Sequence, residues 1–201
     1  MYSLAIHLYA FVVALISPFH KKARLMRFGQ WKTNSILREK IDRNAKYIWF
    51  HASSLGEFEQ GRPMIEKIKA EHPEYKVLLT FFSPSGYEVR KNYKGADVIC
   101  YLPFDTPFRV KKFLNLANPA IAIFIKYEFW GNYLRELRKR EYRFISFPLY
   151  FAPTSYFSNG SESRTGRCYL ILIIFCSGRA FDETLERVRH HECDGDRRYP
   201  F

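Results

Sequence analysis

The sequence predicts an α/β protein whose parallel sheet is covered by helices on both faces. Short apolar runs of strand length alternate with segments of helical type through the first 146 residues. The strand segments are apolar throughout, which is typical of strands buried on both faces. Turn residues such as Ser, Gly and Pro separate the strands from the helices. Together these features favour repeated βα units with right-handed crossovers, and therefore a Rossmann-like domain.

The pattern also gives the approximate bounds of each element. A basic polar segment precedes the first strand. Thr106 is expected to be the N-cap of one helix, with Pro107 at its first position. The predicted strands are 47–52, 76–82, 97–102, 120–125 and a last one that begins at Tyr142, and the predicted helices are 57–70, a short one ending near Tyr93, 107–117 and 131–140.

The N-terminal segment, residues 1–20, is nearly all apolar and is followed directly by Lys21, Lys22, Arg24 and Arg27. A membrane span needs about 20 apolar residues, so this run is at the short end. The charges follow the apolar run, which is the wrong order for a secretory signal peptide. We therefore expect a membrane anchor, with the next domain in the cytoplasm. The alternative is an amphipathic or core helix that packs on the domain.

The charge is strongly positive but unevenly distributed. The formal net charge of +12 predicts an anionic partner. Nucleic acid is not expected, because the basic residues are dispersed and no aromatic-basic RNA motif is present. Residues 1–146 contain 25 Lys and Arg against 13 acids, whereas residues 147–201 contain seven Arg, no Lys and seven acids. This change of composition needs a cause, and we expect residues 147–201 to be an aberrant tail.

Glu57 is the first candidate for chemistry. It follows the turn Ser53-Ser54-Leu55-Gly56, where the first strand ends and a helix begins. A helix N-terminus favours an ionised carboxylate, which can act as a general base beside an acceptor hydroxyl. The alternative is that Glu57 only caps the helix, because acids are common in the first turn.

Other loops contain further candidates. Glu128 also follows a strand, and Lys126 could pair with it or bind phosphate. Arg109, Lys111 and Lys112 form a basic cluster of the kind that is usually a solvated helix face. The sequence has no dinucleotide-binding glycine motif after the first strand, no P-loop and no nucleophile elbow, which argues against those chemistries. No cysteine pair has metal-binding spacing, and Cys100 is expected to be buried.

Four blocks of the chain resemble the N-terminal half of the Kdo transferases, which move 3-deoxy-D-manno-octulosonic acid (Kdo) from CMP-Kdo to a lipid A precursor. The blocks occur in the family's order and spacing, and the resemblance covers residues 1 to about 146. They are HASSLGEFE at 51–59, LTFFSPSGYE at 79–88, YLPFDTP at 101–107 and KYEFW at 126–130.

The resemblance implies a two-domain GT-B glycosyltransferase of the bacterial inner membrane, with its catalytic domain facing the cytoplasm. Residues 21–146 would be the Rossmann-like acceptor domain, and CMP-Kdo would bind mostly in a C-terminal domain that is missing here. Glu57 would be the general base and Glu128 the transition-state stabiliser, with no cofactor or metal. The expected substrate-binding residues are Ser53, Ser54, Gly56, Ser83, Ser85, Gly86 and Lys126.

The resemblance ends where the composition changes, near residue 147. With free choice of codons, residues 147–159 and parts of residues 164–201 can be encoded by DNA that reads as family-like sequence in another frame. We therefore expect one frameshift near residues 144–147 and a second near 170–175; the alternative is a genuinely divergent tail. On either account we expect no transferase activity from this chain. The alternative function is a non-catalytic, membrane-associated domain that binds a lipid A precursor.

Overall fold

The computed structural model describes residues 1–126, 130–147 and 173–175 of the 201-residue chain. Six helices and six strands lie in these residues. In chain order they are α1 (Tyr2–Ile16), α2 (Lys21–Lys40), β1 (Lys46–Ala52), α3 (Leu55–Glu71), β2 (Tyr75–Phe81), α4 (Pro84–Arg90), β3 (Val98–Tyr101), α5 (Pro107–Ala117), β4 (Ile121–Ile125), α6 (Gly131–Lys139), β5 (Arg143–Phe147) and β6 (Ile173–Phe175).

The strands form one sheet in the order β3-β2-β1-β4-β5-β6. The first five strands are parallel, and β6 pairs antiparallel with β5. The order 3-2-1-4-5 is that of a Rossmann-like domain, so the predicted fold class is confirmed. Each predicted strand lies within two residues of its observed bounds.

Both faces of the sheet are buried, as the uniformly apolar strands predicted. On one face Trp49 is fully buried, with ring centroids 5.0 Å from both Phe113 and Phe124. On the other face Phe50, Leu79 and Ile123 pack with Phe58 of α3. Alternate residues of β1 thus point into two separate hydrophobic clusters, which is the strand periodicity expected for a covered parallel sheet.

Helix α2 was not predicted, because the basic residues between 21 and 46 conceal its buried face. That face consists of Met26, Gln30, Thr33 and Leu37, which recur at helical spacing. Thr33 Oγ1 donates a hydrogen bond of 2.8 Å to the carbonyl of Tyr101 at the end of β3. A polar side chain therefore joins this helix to the sheet, which apolar periodicity alone does not reveal.

Helix α1 lies within the apolar N-terminal segment and packs on α2 through the buried Val13. Its exposed apolar residues include Leu4, Leu8, Phe11 and Leu15, which recur at helical spacing. Within the described residues, no single helix is long and apolar enough to cross a membrane. Helices α1 and α2 together do have the required length and composition, with a bend of 118° between them.

Several predictions lie outside the described residues. Glu128 is one of them, and so is most of the tail, residues 148–172 and 176–201. Cys100 is fully buried as expected. Thr106 and Pro107 occupy the predicted positions at the start of α5, although the Thr106 side chain makes no capping hydrogen bond.

A candidate active site at the carboxyl edge of the sheet

Three loops with candidate site residues lie at one edge of the sheet. They follow β1, β2 and β4, which are neighbours with β1 in the centre. From β1 the chain adds β2 and β3 on one side of the sheet and then returns to add β4 and β5 on the other side. The strand order therefore reverses between β1 and β4. In open α/β sheets, ligands bind outside the carboxyl ends of the strands at such a switch point. The fold therefore places the loops with Ser53 to Glu57, with Ser83 to Gly86, and with Lys126 at the same edge of the sheet.

Glu57 lies in the first turn of α3, directly beyond β1. Its Oε2 accepts a hydrogen bond of 2.6 Å from the backbone N–H of Ser53. Ser54 is the N-cap residue, but its side chain makes no capping hydrogen bond. Glu57 is thus the acid that reaches back over the helix start, a geometry close to a capping box. The hydrogen bond from Ser53 holds the carboxylate in place, and because Glu57 is only half-buried it remains accessible at this edge of the sheet.

The loop after β2 is bound directly to the loop after β1. The N–H of Ser83 donates to the carbonyl of Ser53 at 2.8 Å. Ser83 is also the N-cap of α4, and its hydroxyl accepts from the N–H of Ser85 at 3.3 Å. Ser85 is exposed, with its hydroxyl 3.0 Å from that of Ser83. These contacts hold two polar loops side by side at the switch point.

The two glycines predicted to bind substrate have different surroundings. A Cβ on Gly86 would collide with the ring of Phe81, so close packing requires this glycine. A Cβ on Gly56 would meet no atom within 4 Å. Gly56 is exposed, and its surroundings within the chain leave room for a side chain. The binding role of both residues stays a prediction, but only Gly86 has a structural reason to be glycine.

Lys126 follows β4 and has a left-handed backbone conformation, with φ of 66°. This conformation is uncommon for residues other than glycine and costs of order 1 kcal/mol. Its carbonyl accepts a hydrogen bond of 3.2 Å from Ser146 Oγ, which ties it to β5. Strained backbone conformations are often found at functional sites. Lys126 directly follows the end of β4, as predicted, and its substrate-binding role stays a prediction.

His51 is a buried group that the sequence did not single out as a site residue. Its Nδ1 lies 3.0 Å from Thr80 Oγ1 and 3.2 Å from Thr80 O. A carbonyl only accepts, and the Thr80 hydroxyl donates to Phe50 O at 3.3 Å, so Nδ1 carries the proton. Burial lowers the pKa of His51 to about 3, and the imidazole is neutral. The sequence did contain one indication of a buried polar site here, because His51 is a polar residue near the end of an apolar strand.

Asp105 is a second buried polar residue that pattern analysis missed. Its carboxylate accepts from the backbone N–H of Asn132 at 3.0 Å and from that of Tyr133 at 2.9 Å. It therefore caps α6 from a loop that is distant in sequence. Burial raises the pKa of Asp105, and the hydrogen bonds from Tyr2, Asn132 and Tyr133 oppose that shift. This cap fixes the start of the helix that follows residues 126–130.

An aromatic layer borders the site. Phe82 packs on Trp130, with ring centroids 4.6 Å apart, and on Phe104, at 5.9 Å. No group of three His, Cys, Asp or Glu side chains suited to a metal ion occurs in residues 1–126, 130–147 and 173–175. The absence of a metal requirement remains a prediction.

A family model described as 3-deoxy-D-manno-octulosonic-acid transferase (kdotransferase) matches residues 23–155, which is 133 of the 201 residues. The chain belongs to the Kdo transferase family. The match includes all three loops at the switch point. The α/β fold is that of a Rossmann-like N-terminal glycosyltransferase domain, so the family and fold that the four sequence blocks predicted are confirmed.

Individual Kdo transferases agree with this assignment. A 3-deoxy-D-manno-octulosonic acid transferase of Haemophilus influenzae is 32% identical over 99 residues, covering 49% of this chain and 23% of the relative. One of Aquifex aeolicus is 39% identical over 84 residues, covering 41% and 23%. A probable mitochondrial one of Arabidopsis thaliana is 30% identical over 109 residues, covering 54% and 24%. The chain thus spans about a quarter of the length of these relatives.

Proposed function

We propose that this chain is the acceptor-side part of a GT-B Kdo transferase of lipopolysaccharide biosynthesis. The acceptor hydroxyl of a lipid A precursor attacks the anomeric carbon of Kdo. The bond from that carbon to the phosphate oxygen of CMP-Kdo breaks, and CMP leaves. Glu57 takes the proton of the attacking hydroxyl, which makes the oxygen a better nucleophile as the new bond forms. Glu128 is proposed to stabilise the transition state.

The observation that carries the proposal is the position of Glu57 at the switch point of a domain in this family. Its carboxylate is held by the N–H of Ser53, whose carbonyl binds a second polar loop at Ser83, and Lys126 follows the neighbouring strand β4. A general base needs a fixed position within hydrogen-bond reach of the proton that it removes. The Ser53 hydrogen bond supplies that fixed position. Ser53, Ser54, Gly56, Ser83, Ser85, Gly86 and Lys126 are proposed to bind the substrate.

We place the protein at the bacterial inner membrane, with the domain on the cytoplasmic side. The support is the exposed apolar surface of α1, which includes Leu4 at 75% and Leu8 at 62% exposure. The basic residues Lys21 and Lys22 begin α2 directly after it. An apolar helix beside basic side chains suits the interface of an anionic membrane. A lipid acceptor would be reached from that surface.

One observation favours the second candidate, a non-catalytic domain that binds the lipid acceptor. The hydrogen bond from Ser53 N–H to Glu57 is sufficient to explain a carboxylate at this position as a helix cap. A cap and a base must therefore be separated by experiment. The two roles differ in whether glutamine can replace glutamate.

The experiment compares Glu57→Gln with Glu57→Ala at the corresponding glutamate of a full-length Kdo transferase. Glutamine can still accept the Ser53 hydrogen bond, but it cannot take a proton at neutral pH. We expect both variants to lose roughly 10²-fold or more in kcat, within the range of general-base effects. Acceptor affinity should stay within about twofold in Glu57→Gln.

The control is the thermal stability of the same proteins. Loss of a helix cap costs about 1 kcal/mol of stability, so Glu57→Ala should unfold at a lower temperature than Glu57→Gln. If Glu57→Gln turns over normally and only Glu57→Ala is impaired, Glu57 is a cap and its proposed role as general base is refuted. Transfer is measured as radiolabelled Kdo appearing in the lipid.

A further inference from the structure

A pocket of about 580 Å³ lies between α1, α2 and the start of α5. Alanines 10 and 14 of α1 line one wall, and their small side chains leave the space open. Pro103 and Phe104, which follow β3, line another. Phe104 contacts Phe82 of the aromatic layer, so the pocket adjoins that layer, and Glu57 is not among its lining residues.

A buried amide faces this pocket without a partner. Gln30 is only 4% exposed, and among the described residues neither its Nε2 nor its Oε1 has a hydrogen-bond partner. One turn later on the same helix, Asn34 Oδ1 is also buried without a described partner. Buried polar side chains are nearly always hydrogen-bonded. Two such groups lining one open pocket therefore indicate that something polar binds there.

Three cations surround the pocket, namely Arg27, Arg109 and Lys112. Arg27 is oriented by a hydrogen bond of 3.0 Å to Ser17 Oγ, and the Arg109 guanidinium lies 5.6 Å from the centre of the Phe104 ring. In the described part of the chain none of the three forms an ion pair, and no acidic residue lines the pocket. An anion with several oxygens, such as a phosphate, matches arginine and lysine donors.

The mouth of the pocket is aromatic. Trp31 is 77% exposed and Phe108 is 75% exposed, and both line it. The exposed apolar side chains of α1, including Phe11 and Leu15, flank the alanines of the wall. Aromatic side chains at such positions are typical of surfaces that meet the polar–apolar boundary of a lipid. The volume also exceeds what a single phosphate group fills.

From these observations we infer that the pocket between α1, α2 and α5 binds the phosphate-bearing head of an amphiphile. The phosphate contacts Arg109 and Lys112, the Gln30 amide hydrogen-bonds the head group, and the apolar part leaves past Trp31 and Phe108. Where the proposed function holds, a phosphorylated lipid acceptor is a ligand of this class. The site stands on its own geometry and requires no sugar transfer.

The experiment is a calorimetric titration of the 201-residue chain with dihexanoyl phosphatidic acid below its micelle concentration. Parallel titrations use dihexanoyl phosphatidylcholine and inorganic phosphate. We expect saturable binding of phosphatidic acid, at least tenfold tighter than that of either comparison ligand. Equal affinity for inorganic phosphate would overturn the amphiphile assignment, and equal affinity for phosphatidylcholine would overturn the anionic site.

Matched variants locate the site. Arg109→Gln with Lys112→Gln should weaken binding at least tenfold. The control is Lys111→Gln with Lys67→Gln, which removes the same charge from residues outside the pocket, and it should change the affinity less than twofold. An equal loss in both would show general charge attraction and refute the pocket.

Gln30→Leu tests the buried amide separately from folding. Leucine has a similar volume and leaves no unpaired polar group, so the melting temperature should stay or rise while the affinity falls about fivefold or more. Unchanged affinity would contradict the role of Gln30. No CMP-sugar is present in these titrations, so they can fail or succeed independently of the Glu57 experiment.

Discussion

The hydroxyl of Tyr2 donates a hydrogen bond of 2.6 Å to the Asp105 carboxylate, across 103 residues of sequence. The same hydroxyl accepts from the N–H of Gly131 at 3.0 Å. Because Asp105 accepts from the next two N–H groups, the first three amides of α6 are all paired. The N-terminal helix is thereby attached to the helix that borders the candidate site.

Tyr2→Phe should weaken this attachment. It removes both hydrogen bonds of the hydroxyl while keeping the ring, so we expect a loss of about 1–2 kcal/mol in the free energy of unfolding. Tyr9→Phe is the matched control, because Tyr9 lies on the same helix and its hydroxyl forms no hydrogen bond with any described residue. Denaturant titration measures both, and equal stability of the two variants would contradict the role of Tyr2.

The two site glycines should respond oppositely to alanine. Gly86→Ala forces a methyl group against the Phe81 ring, and such overpacking costs about 1–3 kcal/mol. Gly56→Ala places the methyl group in open space and replaces glycine within a helix, so stability should rise by roughly 0.5 kcal/mol. Thermal melts of the two proteins give the comparison. Reduced acceptor binding by the stable Gly56→Ala protein would show that a ligand approaches this backbone.

His51 should make the protein less stable in acid. Its pKa is about 3 in the folded state against 6.5 for an ordinary histidine, so the unfolded chain binds the proton first as the pH falls. Stability is therefore fully present above pH 6.5 and declines below it, by up to about 1.4 kcal/mol per pH unit for one proton. Urea titrations between pH 7 and pH 4 measure this slope.

His51→Asn separates the histidine from the other titrating groups. The asparagine amide can donate to Thr80 as Nδ1 does, but it takes up no proton in this range. The variant should therefore lose stability with a shallower slope below pH 6.5. Identical slopes for the two proteins would mean that His51 does not titrate on unfolding.

The tail yields a prediction about the coding DNA. If residues 147–201 are translated out of frame, single-base insertions or deletions near codons 144–147 and 170–175 should restore an open frame with the family's blocks. Sequencing of the gene around codons 140–180 decides the matter. If the DNA with single-base changes at those two places instead contains early stop codons, the hypothesis is refuted.

The fold was largely predictable because its strands are buried on both faces. Val77, Leu79 and Phe81 in β2 have the apolar character that such strands require. Helix α2 was not predictable in the same way, because Gln30 and Thr33 occupy its buried face. Thr33 hydrogen-bonds the carbonyl of Tyr101, which lies 68 residues further along the chain, and pattern analysis within one segment does not reveal such a partner.

Of the candidate site, local signals located Glu57, the two serine-rich loops and Lys126, since each follows an apolar strand. The chain alone left Glu57 as either a cap or a base, and the structure adds that its carboxylate is held by the N–H of Ser53. Gly56 and Gly86 looked alike in sequence. Only packing distinguishes them, because the Phe81 ring lies against Gly86 whereas no atom lies within 4 Å of a Cβ placed on Gly56.

Alternation of apolar strands and helices was therefore enough to establish the α/β class, the strand positions and the loops that meet at the carboxyl edge. All three depend on which segments are buried, and the local pattern of apolar residues indicates which segments those are. Tertiary structure alone decided that Asp105 caps α6, that His51 stays neutral, and that Arg109 and Lys112 face a pocket while Lys111 does not line it. Those properties depend on contacts between distant residues and on loss of solvent, which arise only when the chain is folded.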